Sequence, residues 1–108
     1  MKSKRSKACD ISPRVRARVL CRDGAECIIC HKAWGLQVAH YIPRSQGGLG
    51  IEQNLVLLCP ECHADFDNGN KRKDYGDFIR NYLKWHYTDW NEKDLIYDKW
   101  RERVRETK

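Results

Sequence analysis

Cys27-Ile-Ile-Cys30 and Cys59-Pro-Glu-Cys62 each place two thiols on one tight turn. A CxxC turn presents two thiolates to one ion, and zinc takes four ligands in a tetrahedron, so two such turns complete a site. The 28 residues between Cys30 and Cys59 exceed the roughly 15–20 of compact zinc ribbons and leave room for a β-hairpin. Cys27, Cys30, Cys59 and Cys62 are therefore the favoured ligands, with His31 or His63 competing for the place of a thiolate. Four filled positions leave none for water, which reads as structural zinc. His40, Asn54 and His63 surround the second knuckle. His63 follows Cys62 on a helix, so its side chain points about 100° away and is free for other work. Asp67 lies four residues on, over the same helix face. Imidazole titrates near neutral pH and can take a proton from water, which makes His40 a candidate general base.

The elements that must hold these groups belong to one small domain of 108 residues with a mean hydropathy of -0.81 and 33% charged side chains. A chain this polar commonly needs a covalent or metal staple. No apolar signal segment follows the basic start and no stretch is long enough to cross a membrane. The expectation is a reduced, intracellular, cytoplasmic protein whose cysteines hold metal rather than disulfides. The net charge of +6 is concentrated: residues 1–34 carry nine Lys/Arg against Asp10, Asp23 and Glu26, while the remainder is balanced. That excess suits a polyanion, with Arg14, Arg16 and Arg18 as candidate contacts because they lie where structure begins.

Residues 1–10 read as a basic flexible tail, 11–70 as the metal-stapled core, and 71–108 as a helical extension packed on it. Ser12-Pro13 is a helix start, Ser as N-cap and Pro in the first turn, and that helix runs to about Cys21. Cys21 reads as a small buried side chain and Cys9 as an incidental tail thiol. Leu36 to Ile42 reads as a strand with Leu36, Val38, His40 and Ile42 on one face. Arg44 to Gly50 is a glycine-bearing loop. Leu55 to Leu58 reads as a fully covered strand antiparallel to the first, and Cys59-Pro60 opens a short helix stopped at Asn68-Gly69. Tyr75, Phe78, Ile79, Tyr82, Leu83 and His86 form an amphipathic stripe. Asn91 and Asp94 resemble a capping box for a last helix whose apolar face is Ile96, Trp100 and Val104.

Val38-Ala39-His40-Tyr41-Ile42-Pro43-Arg44-Ser45, Gly47-Gly48, Asn54-Leu55 and Leu58-Cys59-Pro60-Glu61-Cys62-His63 together resemble the HNH endonucleases, common in bacteria and phages. The likeness covers roughly Val19 to Gly69. It implies an α+β fold: a small ββα-metal core with a double-CxxC zinc site and flanking helices. It also implies hydrolysis of DNA, double-stranded by expectation, to a 5′-phosphate and a 3′-hydroxyl. In that family the His matching His40 is the general base, the residue matching Asn54 braces the loop that bears it, and the His matching His63 binds a catalytic divalent ion (Mg²⁺, Mn²⁺, Ni²⁺ or Zn²⁺). Asp67 matches a second ligand of that ion in some members.

Arg44, just past the base, offers a planar fork to a scissile phosphate. One departure stands out. Many members carry Asp or His immediately before the base, where this chain has Ala39, which cannot ligate. The ion is then left to His63 and Asp67 with waters and a phosphate oxygen, or to a substitute such as Asp65. The alternative is a catalytically weakened, zinc-stabilised DNA-binding module on the same scaffold; a third reading is an interaction protein using the aromatic C-terminal helices.

Overall fold

Two short strands, β1 (Gln37–His40) and β2 (Leu55–Leu58), pair antiparallel, with Gln37 opposite Leu58 and His40 opposite Leu55. A computed structural model of the chain describes residues 3–98, and this hairpin is its centre. Among the described residues four helices surround it: α1 (Lys4–Cys9), α2 (Pro13–Arg22), α3 (Pro60–Asn68) and α4 (Arg72–His86). This is the α+β, ββα arrangement with flanking helices that the resemblance implies. No helix of the described residues is long and apolar enough to cross a membrane.

The hairpin is covered on both faces, which explains why β2 is an unbroken apolar run. Leu55 and Leu57 join Val19 of α2, with Val15, Leu36 and Val38 packed alongside. Val56 and Leu58 face the other way, into a cluster with Ala39, Phe66 of α3, and Ile79 and Leu83 of α4. All four β2 residues are buried. Each fully buried Leu or Val contributes about 1.5–3 kcal/mol from the hydrophobic effect. Alternation puts Leu36 and Val38 on the α2 face of β1, but the opposite face is buried too, and Ala39, not His40, is the most buried residue of the strand.

Local chemistry starts and stops these helices. The Ser12 hydroxyl accepts from the Val15 amide at 3.1 Å, with Pro13 in the first turn. Cys59 caps α3, its Sγ accepting from the Cys62 amide at 3.4 Å, and Pro60 follows. Asp23, at the end of α2, is a buried hub: its carboxylate accepts from the Leu57 amide at 2.9 Å and from the Tyr82 hydroxyl. Arg22 grips Asp23 at 2.7 Å while donating to the Glu52 and Leu55 carbonyls and the Tyr87 hydroxyl. Burial opposes the Arg22 charge, but Asp23 and Tyr87 more than offset it and its pKa is raised. Burial and then Asp23 push the Tyr82 phenol up as well. The network ties α2, β2 and α4 together.

Four expectations differ from this structure. Residues 4–9 are helical rather than a flexible tail. Ser3 caps α1, but six residues make a poor helix alone, and tertiary contacts hold it: the Gly50 amide donates to Ala8 O at 3.0 Å and Arg5 donates to Ser45 O at 3.0 Å. The cysteine assignments reverse, Cys9 being buried and Cys21 exposed. Cys21 sits two residues from Val19, roughly 200° around α2 from its inner face. Phe78, placed on the apolar stripe of α4, is half-exposed while Ile79 and Leu83 are fully buried. The last predicted helix begins instead as a 3₁₀ turn, Glu92–Leu95, capped by Asn91, after which Ile96 is extended and bridges Gly48; Trp100 and Val104 lie outside the described residues.

Candidate functional site

The two knuckles meet at the Gln37–Leu58 end of the hairpin. The sulfurs of Cys27, Cys30, Cys59 and Cys62 all lie within 4.8 Å of one another, and Cys30 Sγ is 3.5 Å from Cys59 Sγ. Four sulfurs bound tetrahedrally at about 2.3 Å sit about 3.8 Å apart, so the residues fit a zinc ion. His31 adopts a left-handed φ of 67° to close the first knuckle, and its ring turns outward to Glu26 at 3.2 Å. His63 is engaged elsewhere, as described below, so neither histidine joins the cluster. Burial pushes the Cys27 thiol up, yet amides of the knuckles, Cys30 foremost, outweigh it and leave the pKa at about 7. Burial and the neighbouring sulfurs push Cys62 up. Four crowded sulfurs ionise together only around a cation.

A second, open site lies along β1 beside α3, toward the sheet's other end. A cavity of about 660 Å³ is lined by His40, Arg44, His63, Asp67, Asn68 and Arg72 among others. His40 ends β1, and its Nε2 is 2.9 Å from the carbonyl oxygen of Cys9. A carbonyl only accepts, so Nε2 carries the proton and Nδ1 keeps its lone pair; no other described residue bonds that ring. Burial, the largest influence, lowers the His40 pKa, and the nearby Arg44 lowers it further against the raising effect of the Cys9 carbonyl and Asp67. The imidazole is thus a neutral ring with a fixed tautomer.

His63 and Asp67 meet across one turn of α3, Nε2 to Oδ2 at 2.9 Å. Gln37 Oε1 accepts from His63 Nδ1, which turns the Nε2 lone pair toward the carboxylate. Two such donors at this distance need a cation between them, a proton or a metal ion. Adjacent ligands of an octahedral ion at about 2.1 Å lie about 3 Å apart, so the pair fits a divalent ion. Asp65 is two residues from His63, roughly 200° around the helix, and does not line the cavity.

Asn54 is fully buried. Its Oδ1 accepts from the Ile42 amide at 2.8 Å, and its Nδ2 donates to the Ile42 and Leu49 carbonyls. This one side chain clips together both ends of the loop that follows His40. Ala39 is fully buried against the α3 side of the sheet. It also lines the cavity, so a carboxylate at that position would begin between the apolar core and the open site.

Arg44 donates to Cys9 O at 2.7 Å, pairs with Asp10 at 2.8 Å and reaches Ser6 O at 3.5 Å. The chain segment around α1 therefore occupies the fork that the sequence directs toward phosphate. Arg14, Arg16 and Arg18 lie exposed on α2, across the sheet from α3, and line none of this cavity. Sequence reasoning missed Gln37, Cys9 and Arg72. Gln37 had a signal, since period two puts it on the face of Ala39, toward α3. Cys9 acts through its backbone carbonyl, for which residue type gives no signal.

Comparisons with known proteins bear on the family and the fold. A model of the HNH endonuclease family matches residues 27–68. A relative called anaredoxin, from Nostoc sp. (strain PCC 7120 / SAG 25.82 / UTEX 2576), is 33% identical over 54 residues, covering 49% of this chain and 71% of that protein. Among solved structures, the Type IV phosphorothioation-dependent restriction endonuclease ScoMcrA superposes with a TM-score of 0.59 at 24% identity. That match covers 69% of this chain but only 16% of ScoMcrA, and it speaks for the fold alone. With the family motif seated on a ββα core and a four-cysteine cluster at its base, this chain belongs to the HNH endonuclease family.

Proposed function

We propose that the chain is a metal-dependent endonuclease that hydrolyses DNA phosphodiester bonds, with His40 as general base and His63 and Asp67 as ligands of one divalent ion. The observation that carries this reading is the oriented His40 ring, its Nε2 tied to Cys9 O at 2.9 Å, opening onto the same cavity as the His63–Asp67 pair. His40 Nδ1 takes a proton from water. The water oxygen attacks phosphorus and the bond to the 3′-oxygen breaks, leaving a 5′-phosphate and, after protonation, a 3′-hydroxyl. His63 and Asp67 would hold a divalent ion, which when bound would supply neutralisation of the phosphate charge and relief for the leaving oxygen. Gln37 orients His63, Asn54 clips the loop behind the base, and Arg44 secures the carbonyl that holds the ring. The four cysteines bind structural zinc. The substrate is double-stranded DNA, with the exposed arginines Arg14, Arg16 and Arg18 as flanking contacts. Four cysteines placed for one metal ion rather than for disulfides support a reducing, cytoplasmic setting.

One observation favours a second reading, a DNA-binding module with weakened chemistry: Ala39 offers no ligand and lies in the core. Plasmid cleavage by wild type and His40→Ala, side by side with Mg²⁺, Mn²⁺ or Ni²⁺, separates the two. The nuclease reading expects nicked or linear product from wild type alone. Binding without cleavage under every ion favours the module, and full cleavage by His40→Ala overturns the mechanism.

A further inference from the structure

We propose that Arg72 is the phosphate-binding cation of the His40 cavity and that the bound strand continues from it past Lys73; this rests on the nuclease reading and adds the group that holds the substrate. Hydrolysis of a phosphodiester calls for a cation on the non-bridging oxygens. Two arginines line the cavity, Arg44 and Arg72. Arg44 is committed to Cys9 O, Asp10 and Ser6 O, so its charge is neutralised and its fork is turned toward α1.

Arg72 is in the opposite condition. It is the first residue of α4 and exposed, and its guanidinium makes one long hydrogen bond, Nη1 to Phe66 O at 3.3 Å. The guanidinium carbon rests 5.2 Å from the centroid of the buried Phe66 ring. Among the described residues no carboxylate pairs with it. Its position is held by stacking and its charge is uncompensated, leaving most of its five N–H donors for a planar, bidentate grip on phosphate oxygens. Arg72 also lines a neighbouring cavity of about 680 Å³, with Lys73 beside it, while Pro43 and Gln46 belong to both cavities. The two spaces adjoin along Pro43, Gln46 and Arg72. A strand whose scissile phosphate lies between His40 and His63 places its next phosphates over Arg72 and Lys73.

The test uses the full chain as wild type, Arg72→Gln and Arg72→Lys. Gln keeps a stem over Phe66 and removes the charge; Lys keeps the charge and removes the fork. Three measurements are needed: cleavage of a short DNA duplex with Mn²⁺, salt-dependent affinity for the same duplex in EDTA, and thermal melting. Arg72→Gln is expected to lose on the order of 10²-fold in kcat/KM. Its log-affinity against log-salt slope should fall by about 0.9, the share of one neutralised phosphate, with melting little changed. Arg72→Lys should keep the wild-type slope but recover only part of the rate. Wild-type kcat/KM and slope in Arg72→Gln overturn the assignment while leaving the nuclease reading intact. If wild type binds without cutting, the nuclease reading falls and the slope alone decides for or against Arg72. If it neither binds nor cuts, both fall. Should Arg72→Gln fail to fold, a wild-type rate in Arg72→Lys rejects the bidentate role and a reduced one supports it.

Discussion

The two ends of one short hairpin carry opposite kinds of site. At the Gln37–Leu58 end, four sulfurs from two local turns face one another within 4.8 Å, and a metal there would have no position left for water. Along β1 toward the His40–Leu55 end, donors arrive from α1, β1, the loop after it, α3 and α4, and several keep unused valence: Nδ1 of His40, the His63–Asp67 pair and the Arg72 fork. A closed set of ligands spends its free energy on holding the fold, whereas an open set leaves free energy for a substrate. The contrast also separates what each site depends on. The closed one needs only its knuckles to approach, and the open one needs α1 seated, Asn54 bridging and Ala39 packed.

The largest effect expected from breaking this contrast is at the closed end. Cys59→Ser removes a ligand and the thiol that caps α3. Structural zinc contributes on the order of 10–16 kcal/mol in small peptides, as much as the whole stability of a typical domain. The variant should purify without stoichiometric zinc and show no cooperative melting; a metal-free, sharply melting Cys59→Ser would refute a folding role for the cluster.

His40→Ala, at the open end, should leave zinc content and melting nearly unchanged while cleavage falls by roughly 10²-fold or more. The same residue sets the pH response. Burial lowers the His40 pKa from its ordinary 6.5, so the ring is already unprotonated at neutral pH. Wild-type rate should therefore be flat above 6.5 and decline only as pH falls through a midpoint below that value, the protonated ring being unable to accept from water. A midpoint above 6.5, or an acid limb that survives in His40→Ala, would assign the titration to another group.

Gly50→Ala probes the seating of α1 with smaller consequences. A Cβ built on Gly50 would lie 2.0 Å from Asp10 O and 2.9 Å from Cys9 O, and both are backbone atoms. Relief requires the end of α1 to move, at a cost of roughly 1–3 kcal/mol, and the carbonyl that orients His40 moves with it. Cleavage should fall by up to about 10²-fold, as misplacement near 1 Å can do, while zinc stays bound. Unaltered kinetics would show that the Cys9 carbonyl has no share in the chemistry.

The weakest effect belongs to α2, across the sheet from the cavity. Replacing Arg14, Arg16 and Arg18 with Ala should lower the salt slope of duplex binding by up to roughly 0.9 for each phosphate that is no longer neutralised. The rate at saturating DNA should not change, in contrast to Arg72→Gln. A slower rate at saturation would mean that the α2 surface reaches the reacting phosphate.

The closed site was legible in the sequence because its geometry is short-range: two residues between thiols make a turn, and the turn aims both at one point. The ββα order and the run of apolar residues in β2 were legible for a related reason, since burial on two faces leaves no polar alternation. Helix periodicity placed His63 and Asp67 together, although it did not supply Gln37, which comes from a neighbouring strand. Residues 4–9 show where such reasoning ends. A basic, polar segment of that composition has no intrinsic reason to be helical, and only its docking against the Arg44–Gly50 loop makes it so. The groups that decide the open site are a backbone carbonyl on Cys9, a guanidinium on Arg44 diverted toward α1 and another on Arg72 left uncompensated. Every residue owns a carbonyl and every arginine the same fork. Only the tertiary structure decides which one meets the imidazole and which one faces the cavity.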